Sequence, residues 1–203
     1  MPAKKYLIEN LLFNVPGVVN YNTKKYIEVQ PGVMTPLVIN IKETLNDYAV
    51  RFKITKALAE LVNLKSICIC GIESGGSYYA SAVADILKKP LVLFRKGFKG
   101  YGLNQRFVGA LSKNKNGIVT VIDDVIGEGK ISTAAVTELK RAGYGAEVCA
   151  IFSYLPEMKL FMSKIKIAYL SDINGLCQVG MAKKFFSEND VKLIKKECSY
   201  SSR

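Results

Sequence analysis

Short apolar runs alternate with amphipathic stretches from residue 65 onward. The apolar runs are typical of buried strands, and they cover residues 66–71, 90–95, 117–122, 146–152 and 165–170. Helical spacing of apolar residues predicts helices over residues 76–88 and 132–141, with a further short helix between the last two strands. This alternation predicts an α/β protein whose mainly parallel, twisted sheet is flanked by helices on both faces.

The chain before this region has two parts. Apolar positions recur on one face of residues 48–62, which predicts a helix, whereas the first 45 residues are irregular and contain Pro-Gly turn signals. We therefore expect a single domain over residues 1–203, with a small N-terminal cap over about 1–45 and a core over about 46–203.

Composition and charge narrow the class of protein. The 203 residues are 49% hydrophobic and 23% charged, as in soluble globular proteins, and no apolar run approaches the roughly 18 residues that span a bilayer. No signal-peptide core follows the N-terminus, so we expect a cytoplasmic protein without a membrane partner. The net charge of +12 has three interpretations: solvation by scattered lysines, attraction of a polyphosphate ligand, or a nucleic acid partner. No basic helix with interleaved aromatic residues supports the last, which is not favoured.

Histidine is absent from the sequence, and the five cysteines form no C-x-x-C pair. Cys/His zinc sites and histidine-based acid–base or nucleophilic chemistry are therefore excluded. We expect the cysteines to be buried, reduced thiols.

The segment from Ile122 to Ser132 reads Ile-Asp-Asp-Val-Ile-Gly-Glu-Gly-Lys-Ile-Ser. A buried strand is predicted to end in two carboxylates, followed by a glycine-containing turn and a helix start. Free N–H groups at the turn and the helix N-terminus suit a phosphate, and the carboxylates suit hydroxyl groups. Composition alone also allows an ordinary strand–loop–helix turn with surface acids.

The same segment resembles the phosphoribosyl pyrophosphate (PRPP) signature of type I phosphoribosyltransferases. The resemblance implies that Asp123 and Asp124 bind the ribose 2- and 3-hydroxyls. It also implies a 5-phosphate loop formed by Val125, Ile126, Gly127, Glu128, Gly129, Lys130 and Ile131. Many members of the family carry Thr or Asp at position 127, small or hydroxyl residues at position 128, and Ser or Thr at position 131. Their loss predicts a weaker or altered phosphate site, with Glu128 turned to solvent.

Two further loops extend the resemblance. Residues 71–76 resemble the family's pyrophosphate loop, which implies PRPP binding by Glu73, Ser74, Gly75 and Gly76. Residues 95–102 resemble the mobile catalytic loop of orotate phosphoribosyltransferases. This second likeness implies that a homodimer forms, because the loop reaches the neighbouring subunit's site in that family. It also implies catalytic roles for Arg95, Lys96, Lys99 and Tyr101, the last in place of the family's histidine, together with Asp124.

The segment over residues 30–42 resembles the base-binding segment of the orotate enzymes. It implies contacts from Gln30, which replaces a lysine, and from Lys42. After the strand that ends at 152 the family usually has an acid and an arginine, where this chain has Ser153-Tyr-Leu. The resemblance covers roughly residues 10–170.

The function that this resemblance implies is Mg²⁺-assisted transfer of a phosphoribosyl group from PRPP to a nucleobase, with orotate first among the bases. Mg²⁺ would be held through PRPP, with no direct protein ligand. Two alternatives stay open: a weakly active or non-catalytic regulator that senses PRPP or a nucleotide, and a phosphoribosyltransferase for another base. A flavodoxin- or Rossmann-like nucleotide binder is disfavoured because residues 71–76 do not fit G-x-G-x-x-G.

Overall fold

A computed structural model describes residues 7–97, 106–111, 115–154 and 165–198 of the protein. In chain order its elements are α1 (Leu7–Asn14), β1 (Val19–Tyr21), β2 (Ile27–Gln30), β3 (Val33–Thr35), β4 (Leu37–Ile39), a 3₁₀ helix (Ile41–Asn46), α2 (Tyr48–Leu61), β5 (Ser66–Ile72), α3 (Gly75–Leu87), β6 (Leu91–Phe94), β7 (Phe107–Val108), β8 (Ile118–Ile126), α4 (Lys130–Arg141), β9 (Gly145–Ser153), β10 (Ile167–Asp172), α5 (Ile173–Ala182) and α6 (Glu188–Cys198).

The central sheet has six strands in the order β10-β9-β8-β5-β6-β7. Neighbouring strands run parallel except β6 and β7, which pair antiparallel, so the predicted mainly parallel sheet is confirmed. β5 and β8 lie side by side near the middle, and their carboxyl ends therefore meet at one edge of the sheet. In open α/β sheets, ligands bind at this edge.

Helices cover both faces of the sheet, because its strands are apolar on both sides. Ile69 and Ile122 point into one core cluster, which α1, α2, α3, α5 and α6 help to form. Val119 and Val121 point into the other, under α4. Each fully buried side chain of this size contributes about 1.5–3 kcal/mol to stability. All five cysteines lie buried and unpaired in these cores, which confirms the predicted free thiols.

β8 is longer than the sequence pattern predicted. It continues to Ile126 because its parallel pairing with β9 persists as far as Ile126 and Ser153. The predicted strand over residues 117–122 therefore ends too early, since Asp123 and Asp124 lie within β8. Helices α1, α5 and α6 were not predicted. The short helix predicted between the last two strands falls on residues 155–164, outside the described part of the chain.

The N-terminal segment forms two small antiparallel pairs, β1 with β4 and β2 with β3. The C-terminal helices pack against it. The Thr23 hydroxyl donates a hydrogen bond to Asp190 of α6 at 2.8 Å. The rings of Tyr21 and Phe186 lie 4.9 Å apart, edge to face. Among the described residues, no helix is long and apolar enough to cross a bilayer.

Candidate active site

The edge of the sheet where β5 and β8 end also carries two helix starts. Helix α3 begins at Gly75, three residues after β5, and α4 begins at Lys130, four residues after β8. Gly129 precedes α4 with a φ of 71°, in the left-handed region that glycine adopts without strain. Both helix N-termini present backbone N–H groups, so this edge can hold two anionic groups.

The two acids of β8 have different neighbours. Asp123 is buried, with 7% of its surface exposed. The Ser132 hydroxyl donates to its Oδ2 at 2.6 Å, and the backbone N–H of Asp124 donates to its Oδ1 at 3.0 Å. Burial raises the pKa of Asp123 to about 7, against the lowering effect of the Ser132 hydrogen bond. Ser132 lies one residue beyond the predicted loop, and sequence reasoning did not assign it a role.

The glycines of the predicted pyrophosphate loop lie directly against this acid pair. A Cβ atom added to Gly75 would lie less than 3.0 Å from Cγ and both oxygens of Asp124. One added to Gly76 would lie less than 3.0 Å from the carbonyl oxygen of Ile122. Only glycine allows this approach. The loop that carries Glu73 and Ser74, joined by a cis peptide, is thereby brought against β8.

Arg95 lies at the same loop. Its Nε is 3.4 Å from Oε1 of Glu73, and the backbone N–H of Glu73 donates to the carbonyl oxygen of Phe94 at 2.9 Å. The carbonyl oxygen of Lys96 accepts a hydrogen bond from Arg106 at 2.9 Å. The structure thus brings the first predicted catalytic cation to the pyrophosphate loop. Lys99 and Tyr101 lie outside the described residues.

The predicted phosphate loop differs from the family pattern in three side chains. Glu128 is exposed and forms an ion pair with Lys130, so its charge has a partner on the solvent side. Ile131 packs against the core cluster under α4. Apart from its neighbours in the chain, no atom of the described residues lies within 4 Å of the position that a Cβ on Gly127 would take. Hydrogen-bond donors for a phosphate at this loop would therefore come mainly from the backbone between Val125 and α4.

A cavity of about 440 Å³ lies between the N-terminal segment and the end of β8. Its walls are formed by Asn20, Ile27, Val38, Ile39, Asn40, Ile41, Lys42, Asp124 and Val125. Lys42 is the predicted base-binding residue that the structure places here, and Asp124 joins the cavity to the glycine loop. The side chain of Gln30 lies outside the described part. Asn20 and Asn40 were missed, because only the folded chain brings them to this wall.

An acid pair thus lies between two helix starts, beside a cavity, at the edge of the sheet where α/β proteins bind ligands; such an edge can hold a sugar phosphate. The sequence matches the family described as Phosphoribosyl transferase domain over residues 21–174. The chain belongs to the phosphoribosyltransferase family, as the resemblance predicted.

Relatives agree with this assignment. Orotate phosphoribosyltransferase of Listeria innocua is 32% identical in an alignment of 173 residues that covers 81% of this chain and 81% of that one. The crystal structure of orotate phosphoribosyltransferase from Aeropyrum pernix has a TM-score of 0.71 at 20% identity, over 89% of this chain and 100% of that one. UMP synthase of Leishmania donovani has a TM-score of 0.77 at 16% identity, over 95% of this chain and 42% of that one. The two structures confirm the predicted fold.

Proposed function

We propose that the protein transfers the 5-phosphoribosyl group of PRPP to orotate, forming orotidine 5′-monophosphate and pyrophosphate in pyrimidine biosynthesis. The observation that carries the proposal is the position of Asp124. Its carboxylate lies against Gly75 of the pyrophosphate loop and also lines the cavity. The bond from the ribose to pyrophosphate breaks, and the bond to the base nitrogen forms, where these two regions meet.

The charges around this point match the reaction. As C1 of the ribose loses pyrophosphate it becomes electron-deficient, and a carboxylate at Asp124 stabilises that charge while it accepts from ribose hydroxyls. The N-terminus of α3 supplies N–H groups for pyrophosphate, and that of α4 supplies them for the 5-phosphate. Arg95, beside Glu73, offers a cation to the departing pyrophosphate.

Orotate is favoured by the cavity's polar groups. Among the described residues that line the cavity, Lys42 is the one with a positively charged side chain. No described carboxylate lies within 4.0 Å of its ammonium group. A carboxylated base would provide that partner. The amides of Asn20 and Asn40 can donate to or accept from the carbonyl and N–H groups of a pyrimidine.

Mg²⁺ fits this site as a companion of PRPP. Within the described residues there is no group of three His, Cys, Asp or Glu side chains that could hold a metal ion. Mg²⁺ would therefore be held through the oxygens of PRPP, with no direct protein ligand. Mg²⁺ prefers phosphate oxygens and water to an all-protein cage. When bound, it would neutralise charge on the pyrophosphate group.

A homodimer is the assembly we propose. The adjacent aromatic residues Tyr48, Phe52 and Tyr78 are 66%, 45% and 40% exposed on α2 and α3, with Arg51 between Tyr48 and Tyr78. Aromatic clusters of this kind are common at protein interfaces. Sedimentation should show a dimer that Phe52→Glu dissociates, while a monomeric wild type would contradict the proposal. The unpaired thiols favour a reducing, cytoplasmic compartment.

The activity is tested by incubating the purified protein with PRPP, Mg²⁺ and orotate, and by measuring pyrophosphate release and the loss of orotate absorbance. Lys42→Gln should raise the KM for orotate, whereas Lys25→Gln, at an exposed position off the cavity wall, should not. Uracil, adenine and hypoxanthine serve as competing bases. Binding of PRPP without turnover of any base would refute the proposal and favour a sensor.

A further inference from the structure

Tyr154 connects the two halves of the proposed site. It directly follows β9, and its backbone N–H donates to the carbonyl oxygen of Ile126 at 2.9 Å, where the phosphate loop begins. Its hydroxyl accepts from the backbone N–H of Ile39 at 2.8 Å and donates to the carbonyl oxygen of Leu37 at 3.4 Å. One residue therefore joins the end of β8 to strand β4 of the cavity wall.

The backbone of β4 needs a hydrogen-bond partner on the edge that faces Tyr154. Its other edge pairs with β1, where Asn40 donates to the carbonyl oxygen of Val18 at 2.8 Å. Leu37 and Ile39 are buried, with 1% and 6% of their surfaces exposed. Buried backbone groups without partners are costly, so the phenol takes the place that a third strand would occupy.

The chemistry of the phenol suits this role. Burial raises the pKa of Tyr154, so the hydroxyl stays neutral and can donate and accept at the same time. The Phe152 ring lies 5.0 Å away, edge to face, and helps to fix the orientation of the Tyr154 ring. The segment that β4 begins, from Val38 to Lys42, lines the cavity.

We propose that Tyr154 is a positioning residue that holds the base-binding wall at a set distance from the phosphate loop, and so determines how tightly the base is bound. The inference rests on the proposed function. It also gives Tyr154 a role at the point where the resemblance expects an acid and an arginine. The phenol does not touch the reacting atoms, because it acts through the backbone of β4.

The test is Tyr154→Phe, which keeps the ring and removes both hydroxyl hydrogen bonds. The KM for orotate should rise about tenfold, while the KM for PRPP stays within about twofold, because the groups around Asp124 are unchanged. Exchange of the Ile39 amide hydrogen should accelerate. Tyr144→Phe is the matched control: Tyr144 is buried at the opposite end of β9, and its loss should leave both KM values unchanged.

An equal rise in both KM values, or a fall in kcat alone, would assign Tyr154 a merely structural role and overturn the inference. If Tyr154→Phe fails to fold, Thr35→Val replaces it, since the Thr35 hydroxyl also donates to the carbonyl oxygen of Leu37, at 3.0 Å. Thr35→Val must raise the KM for orotate by a smaller factor, again with little change in the KM for PRPP.

Wild-type protein without turnover would refute the proposed function but not yet the inference. In that case calorimetry of orotidine 5′-monophosphate and of ribose 5-phosphate decides. Nucleotide binding weakened about tenfold by Tyr154→Phe, with ribose 5-phosphate binding unchanged, supports the inference. Equal weakening of both, or wild-type protein that binds neither, overturns it.

Discussion

Gly75→Ala should lower the activity and leave the stability of the fold almost unchanged. The added methyl group would lie less than 3.0 Å from Cγ and both oxygens of Asp124, so the carboxylate must rotate away. Asp124 is only partly buried and borders the cavity, which leaves room for that rotation. Gly76→Ala differs, because its methyl group would press on the carbonyl oxygen of Ile122, and a backbone group inside the sheet has no such freedom.

The magnitude follows from the interactions lost. A carboxylate moved off the ribose loses charge-assisted hydrogen bonds worth about 1.5–3 kcal/mol, so kcat/KM should fall roughly 10- to 150-fold. The free energy of unfolding should change by less than about 1 kcal/mol, since the three atoms nearest the added methyl group all belong to the Asp124 side chain. Gly76→Ala should instead lower the free energy of unfolding by about 1–3 kcal/mol through overpacking.

Steady-state kinetics with orotate and PRPP, together with urea unfolding, measure the two effects. Gly145→Ala is the neutral control, because the nearest atom to its methyl group lies 3.4 Å away, at ordinary contact distance. If Gly75→Ala kept kcat/KM within about twofold of the wild type, the placement of Asp124 at the reacting carbon would be refuted.

The remaining predictions concern the phosphate loop and the leaving group. The pKa of Asp123 is raised to about 7 in the folded state, so its contribution to stability is full below about pH 4 and is lost as the pH rises to 7. Urea titrations should therefore show the free energy of unfolding falling over this pH range, and Asp123→Asn should make the fall smaller. Ser132→Ala removes a donor to Asp123 and should raise the KM for PRPP about fivefold at neutral pH, which Thr137→Ala on the same helix should not do. Arg95→Ala should lower kcat about 10- to 100-fold and barely change the melting temperature, since its ion pair is partly exposed. Gly127→Thr, at a position with open space around it, should lower the KM for PRPP by restoring a hydroxyl donor; an unchanged KM would mean that the backbone alone holds the phosphate.

The hydrophobic pattern predicted the sheet well because parallel strands covered on both faces are continuously apolar, as in β5 and β9. The same reliance on a continuous apolar run placed the end of β8 too early. Asp123 interrupts the apolar run, although the backbone pairing with β9 continues beyond it. The Ser132 hydrogen bond compensates for burying this carboxyl, and it forms only when α4 packs on the sheet. Sequence periodicity therefore could not show that the strand continues.

The loops of the site could be predicted because each is a local motif at the end of one strand. The cavity could not, because its walls come from distant segments: Asn20 and Asn40 from the N-terminal region, and Val125 from β8. The role of Tyr154 could not be predicted either, since nothing in the sequence shows that its hydroxyl forms hydrogen bonds with β4. Such residues can be identified only from their contacts in the folded protein, because their spacing in the sequence gives no sign of them.

The two neighbouring acids of β8 are not equivalent, because Asp123 is buried and Asp124 borders the cavity. Asp123 accepts a hydrogen bond from Ser132, whereas Asp124 lines the cavity. Two ionised carboxylates this close would repel each other, and burial of Asp123 favours its neutral form. Asp124 is only partly buried, and its side chain borders both the glycine loop and the cavity. The divergent loop can lose hydroxyl donors and still keep this carboxylate in place, because Gly75 and the register of β8, not the loop's side chains, determine its position.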